Sequence, residues 1–215
     1  MAYITIRDYG EDSFEEKKSE FIGYAKRVES EEEAKEFINE IKSMHKQARH
    51  NCFAYVIGEN YGIQRYSDDG EPQGTAGIPI LEVMKKQGVT DCAIVVTRYF
   101  GGILLGAGGL TRAYTKGASI ALKAGGVVEK VEGCKVSITI DYDLIGKIQY
   151  LCGQNNWHIE DSEYTDKVTI FIYAENEVAE VIEKEVIEAT NGKAIISKSE
   201  EDIYFKENNR LFKAI

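Results

Sequence analysis

The sequence predicts an α+β protein of two domains, residues 1–130 and 131–215. Three observations carry that prediction. Residues 131–215 read as a regular alternation of short strands and helices. The charge changes at the same place: residues 1–130 hold 17 basic and 19 acidic side chains, residues 131–215 hold 9 and 17. The first part also contains a strand–glycine–helix passage, "DCAIVVTRYFGGILLGAGGLTRAYTKGA", that has no counterpart in the second.

The elements of the first part follow in order. Residues 2–9 alternate as a strand does, and "FIGYAKRV", residues 21–28, fits a second strand. Ser30 opens a helix, with Glu33 three residues on, the spacing of a capping box. Ala34, Phe37, Ile38, Ile41 and Met44 recur at helical spacing and form its expected buried face. "NCFAYVIG", residues 51–58, is a strand, followed by a short strand that runs into the turn-rich stretch "YSDDGEPQGTAG". A helix is expected over 80–87, ended by Gly88. "DCAIVVTRYF" reads as a strand buried on both faces, and after the glycines a helix runs from about 108 to 123. Its face of Leu110, Ala113, Tyr114, Gly117, Ala118 and Ala121 is small enough to lie close on a sheet, while Arg112, Lys116, Ser119 and Lys123 line the opposite face.

Residues 125–133, "GGVVEKVEG", read as a strand end and a connection between domains. Beyond them come strand 135–140, helix 143–152, strand 157–164, strand 167–173, helix 177–189 and strand 194–205. This βαββαβ order is the ferredoxin-like arrangement.

Composition narrows the function classes. Apolar residues make up 43% and charged residues 29% of the 215, ordinary for a globular protein. No apolar run reaches the length of a membrane span, and the acidic N-terminus does not read as a secretory signal. Cys52, Cys92, Cys134 and Cys152 are scattered in apolar patterns without a CxxC pair, as in a reduced, cytoplasmic protein. A net charge of −10 opposes general attraction to nucleic acid, so any polyanion must meet a local basic patch, and that patch lies in the near-neutral first part.

Three stretches together carry a resemblance: "ARHNCFAYVIG" from Ala48, "RYSDDGEPQGTAGIPIL" from Arg65 and "VVTRYFGGILLGAGGLTRAYTKGA" from Val95. The chain resembles the IMPACT family over its whole length, in particular its bacterial YigZ-like two-domain branch. The resemblance implies that the first domain is an α/β sandwich like domain IV of elongation factor G and the GHMP kinases. It implies that the second is a ferredoxin-like domain similar to domain V of elongation factor G. Eukaryotic members carry an additional RWD domain and act in translational control, restraining the amino-acid-starvation kinase by competing for its ribosome-bound activator. With a bacterial layout and no such domain ahead of residue 1, the kinase role is not expected here. Ile78 also stands where relatives often have Lys or Arg after "GTAG".

The motifs suggest chemistry of two kinds. Gly106, Gly108 and Gly109 lead into a helix with Thr111 and Arg112 in its first turn, a setting that suits either an anion or close packing of helix on sheet. It is neither a P-loop nor a dinucleotide fingerprint. Asp68, Asp69 and Glu71 place three carboxylates within four residues, a set for a divalent cation or a general base, or simply good turn chemistry, with Thr75 capping the next helix. His50 is the histidine best placed for a site, near Asp68 across adjacent strands. His50, Asp68, Asp69 and Glu71 are therefore the catalytic candidates, although no nucleophile signature names a reaction, no metal set is complete and no cofactor is called for. Arg98, Tyr99 and Phe100 leave the buried strand at Gly101 and Gly102, an arginine beside two aromatics that suits an interface or a stacked base. With Arg65, Tyr66, Arg112 and Lys116 they are expected to converge into one binding surface. The leading expectation is a binding protein linked to translation, contacting the ribosome, RNA or a ribosome-associated protein through its first domain. The alternative is an enzyme acting on a small phosphorylated or nucleotide ligand at the glycine-rich loop.

Overall fold

The computed structural model describes residues 2–213. The chain forms two compact units, residues 3–128 and residues 129–213, the second also including Ala2. The architecture is the α+β, two-domain one that the sequence predicts.

The first unit contains β1 (Tyr3–Ile6), β2 (Gly10–Glu16), β3 (Ser19–Arg27), α1 (Glu31–Met44), β4 (His50–Ile57), β5 (Ile63–Ser67), α2 (Gly77–Gln87), β6 (Cys92–Tyr99) and α3 (Ala107–Gly125). Five strands form an antiparallel sheet in the order β2-β3-β6-β4-β5. The central β6 is buried from Cys92 to Arg98, as the apolar run demands. One face of the sheet packs on α2 and α3, joining Phe21, Cys52, Ala54 and Val96 to Ile80, Met84, Tyr114 and Leu122. The other face packs on α1, joining Tyr24, Tyr55 and Val95 to Ala34, Phe37 and Ile41.

Local chemistry sets these elements. Ser30 Oγ accepts from the Glu33 amide at 3.2 Å, and the Glu33 carboxylate accepts from the Glu29 amide at 2.8 Å, one residue earlier than a strict capping box. Met44, expected on the buried face of α1, is exposed at the last residue of the helix, and the buried face ends at Ile41. The small-residue face of α3 lies against β2 and β3 closely enough that a Cβ at Gly23 would run into the Gly117 carbonyl oxygen. One strand departs from expectation. The stretch read as a strand over 2–9 ends at Ile6, and the acidic segment "GEDSFEE" then forms β2, pairing along β3 from Gly10↔Ala25 to Glu16↔Ser19.

The second unit is built on β7 (Val127–Ile140), which continues through the residues read as a connection. It is followed by α4 (Ile145–Asn155), β8 (Ile159–Tyr164), β9 (Val168–Glu175), α5 (Asn176–Thr190), β10 (Ile195–Lys198), β11 (Asp202–Glu207) and β12 (Arg210–Lys213). The four strands β10-β7-β9-β8 are antiparallel in that spatial order, the pattern of a βαββαβ sheet. Its core joins Val136, Ile138, Ile170 and Ile172 to Ile148, Cys152, Ile182 and Val186. The single strand expected over 194–205 is two strands. β10 pairs with residues 136–139 of β7, and β11 pairs with residues 129–133 of the same strand before a hairpin returns as β12.

Candidate functional site

Register brings the first side chains together. On the sheet, Phe21, Arg98 and His50 are cross-strand partners in one row, on the face covered by α2 and α3. The chain then turns at Gly101, where a Cβ would collide with the Lys18 carbonyl, and reaches α3 through Gly106, whose φ is 73°. The tightest glycine of this segment thus approaches the β2–β3 turn.

Arg98 is 4% exposed. Its Nη1 donates to Glu71 Oε1 at 2.7 Å, its Nη2 lies 3.4 Å from Ser19 Oγ, and its Nε is buried with no hydrogen-bond partner among the described residues. The guanidinium carbon lies 5.5 Å from the Phe21 ring centre and 5.4 Å from that of Phe100. Tyr114 donates to the same Glu71 oxygen at 2.8 Å, and burial, then its Cys52 and Glu71 neighbours, push its phenol well above its usual range, so it remains a donor. His50 Nδ1 lies 2.8 Å from the Asp69 carbonyl oxygen, a contact that requires the proton on Nδ1 and leaves Nε2 as an acceptor in the neutral ring. That Nε2 is 3.9 Å from Glu71 Oε2.

His50, Glu71 and Arg98 line a cavity of about 400 Å³ together with Arg49, Gly70, Pro72 and the segment from Phe100 through Leu104 and Leu105 to Leu110. Arg49, itself exposed, also has its guanidinium carbon 5.4 Å from the Phe100 ring centre. The start of α3 carries no side-chain cap, so its first-turn amides and the positive end of its dipole remain open to an acceptor. Leu105 also lines a smaller groove of about 200 Å³ with Phe14, Lys17, Gly109, Arg112 and Lys116, where Lys116 Nζ stands 4.2 Å over the Phe14 ring. Thr111 is exposed in the same helix, Gly108 lies in its first turn, and Gly102 lies in the segment that leads to it from β6.

Several expected residues take other places. Asp68 accepts from the amides of Gly74, Ala76 and Gly77 at 2.8, 3.0 and 2.8 Å, which makes it the cap of α2. Asp69 accepts from Lys42 at 2.9 Å and from the Asn51 amide at 2.7 Å. The three carboxylates therefore diverge, and among the described residues no cluster of His, Cys, Asp and Glu is arranged to hold a metal. Thr75 turns inward to the Pro72 carbonyl at 2.6 Å. His50 meets Asp69 and Glu71 rather than Asp68. Tyr99 falls on the opposite sheet face, where His45 bridges its hydroxyl at 2.8 Å and that of Tyr24 at 2.5 Å. Arg65 pairs with Glu31 of α1 at 3.7 Å, and Tyr66 is exposed on β5 beside Ala54. The residues missed were Arg49 and the loop leucines 104 and 105. All three lie inside the stretches quoted for the resemblance, Arg49 directly before His50, and that position was the available signal.

Comparison with known proteins locates the chain among its relatives. The Impact N-terminal domain matches residues 17–122, and a domain of unknown function (DUF1949) matches residues 138–193. IMPACT family member YvyE of Bacillus subtilis (strain 168) is 45% identical over 199 residues, 93% of this chain and 92% of its own length. IMPACT family member YigZ of Escherichia coli (strain K12) is 40% identical over 69% of this chain and 74% of its own. A crystal structure described as that of a hypothetical protein superposes with a TM-score of 0.58 at 31% identity, covering 91% of this chain and 96% of the other. The chain belongs to the IMPACT family.

Proposed function

We propose that this protein is a translation-linked binding protein that takes a single-stranded RNA segment on its first domain. The observation that carries the reading is the Phe100 ring with the Arg49 and Arg98 guanidinium groups each 5.4 Å from its centre, in a cavity continuous through Leu105 with a groove where Lys17, Arg112 and Lys116 outnumber Glu16. An aromatic ring flanked by guanidinium groups suits an unpaired base, and exposed cations leading to an uncapped helix start suit its phosphates. Membership of the IMPACT family supports a role in translational control, the activity that the resemblance implies for its eukaryotic members. Among the described residues no helix is long and apolar enough to cross a membrane.

Co-sedimentation with ribosomes and separated subunits, at low and moderate salt, tests this. The control is Arg112→Ala/Lys116→Ala, because both side chains are exposed and their loss leaves the fold intact. Salt-sensitive binding that the double variant loses supports the reading, since phosphate contacts release counterions. Binding that is insensitive to salt points to a ribosome-associated protein surface instead, and no binding at low salt removes the RNA reading. The cavity volume favours a second reading, a small phosphorylated or nucleotide ligand held at the same place, for an enzyme whose reaction is not defined. A rise in melting temperature with free nucleotides, in the absence of RNA, would support it.

A further inference from the structure

The cavity floor has an acceptor pair that nothing in the fold uses. Glu71 Oε1 already accepts from Arg98 and Tyr114, whereas Oε2 takes no hydrogen bond among the described residues. The side chain is only 4% exposed, and among the described residues Arg98 Nε is the one fully buried side-chain polar atom without a partner, so Oε2 keeps some access to the cavity that Glu71 lines. His50 Nε2 opens on the same cavity, and with the Nδ1 proton given to Asp69 it is the acceptor nitrogen of the neutral ring. At 3.9 Å the two atoms are too far apart to bond each other, but one amino group can donate to both.

We infer that this floor selects an unpaired base bearing an exocyclic amine and rejects uracil, whose carbonyl would meet two acceptors. The inference rests on the RNA reading above and specifies its subsite. The walls favour a base over a lysine ammonium. Phe100 offers a flat ring, and the exposed Arg49 on the cavity, with Lys17, Arg112 and Lys116 against Glu16 on the adjoining groove, gives a net positive surround that disfavours an ammonium and attracts a phosphate. Glu71 is matched by Arg98, so the floor accepts hydrogen bonds without adding a net negative charge against that phosphate. Arg49 is exposed over Phe100 and is the group a base displaces toward its own phosphate.

Cytosine and uracil differ here only in the amine against the carbonyl, so oligocytidylate and oligouridylate of eight nucleotides are the probes, bound to the full chain at low salt and followed by fluorescence anisotropy. Oligocytidylate should bind about tenfold more tightly than oligouridylate. His50→Asn keeps a donor for the Asp69 carbonyl and removes Nε2, so it should bring the preference down to about twofold, by weakening oligocytidylate and easing the rejection of oligouridylate. Phe100→Ala should weaken both oligomers by about tenfold or more and keep the preference. Equal affinity of the two oligomers for the wild type overturns the inference and leaves the RNA reading standing. Binding of neither at low salt removes both. Displacement of bound oligocytidylate by a lysine-rich peptide, but not by oligouridylate, assigns the floor to a protein ligand and overturns it as well.

Discussion

Arg98 is the residue whose role the sequence describes least well, and its replacement separates a buried structural ion pair from a surface binding group. Arg98→Met keeps an apolar stem between Phe21 and Phe100 and removes the guanidinium. Glu71 then remains buried, with its charge supported by the Tyr114 hydroxyl alone. Breaking one partner of a buried pair costs about 3–5 kcal/mol because the other charge stays desolvated. For a unit of this size that lowers the melting temperature by roughly 10–20 °C. The companion Arg98→Met/Glu71→Gln removes both charges and keeps an oxygen for Tyr114, so its cost should fall to about 1–2 kcal/mol. The single tryptophan, Trp157, lies in the second unit, and eight of the thirteen tyrosines lie in the first. Unfolding followed by tyrosine near-ultraviolet dichroism should shift with Arg98→Met, while the Trp157 fluorescence transition stays in place. A loss below about 1 kcal/mol for the single variant, or a double variant as damaged as the single one, would show that Glu71 is not carried by Arg98 and would refute the reasoning.

Asp68→Ala removes the acceptor for three amides at the start of α2, and a loss of about 2 kcal/mol is expected in denaturant titration, the upper end of the range for a cap. Asp68→Asn should recover part of it. Gly23→Ala forces a Cβ into the Gly117 carbonyl and should cost about 3 kcal/mol, whereas Gly153→Ala, with open space around an exposed position in α4, should add about 0.5–1 kcal/mol; calorimetry on the pair separates packing from helix propensity. The Tyr24 phenol is pushed up to about 12, chiefly by burial and then by Glu11, from the usual 10.0. The folded state thus holds this proton more tightly than the unfolded one. Its contribution is complete below pH 10 and is lost as pH rises toward 12, so alkaline unfolding of Tyr24→Phe should fall less steeply across that window. Equal slopes for the two proteins would contradict the assignment.

What was legible in the sequence follows from which signals survive at the level of single residues. The α3 face was readable because Leu110, Ala113, Tyr114, Gly117, Ala118 and Ala121 obey one period, and all six are buried. The βαββαβ order was readable because β7, β9, α4 and α5 alternate cleanly between apolar and polar. β2 was not, since an edge strand can be acidic and exposed on nearly every residue and still be held by its ladder to β3. The single strand expected over 194–205 became two because two partners occupy different lengths of β7, a fact of tertiary register that no local pattern contains. The same limit governed the site. His50, Arg98 and Phe21 share a row only through strand pairing, and Tyr99, adjacent to Arg98, falls on the other face through the two-residue period of a strand.

The carboxylate run shows how a backbone conformation decides chemistry that residue types leave open. Asp68, Asp69 and Glu71 are close enough in sequence to share a cation, but Asp69 at φ 44° and Gly70 at φ 87° place two successive residues in left-handed backbone. The chain reverses there, and the three side chains part: Asp68 toward the start of α2, Asp69 toward Lys42 and Asn51, Glu71 toward Arg98. Two of the three are consumed in holding the turn. That turn in turn fixes the Asp69 carbonyl against His50 Nδ1, and so sets which ring nitrogen faces the cavity. The carboxylates that do not line the cavity thus determine its polarity. A cluster that reads as a metal set in one dimension becomes, in three, the support for a neutral acceptor beside a charge-balanced one.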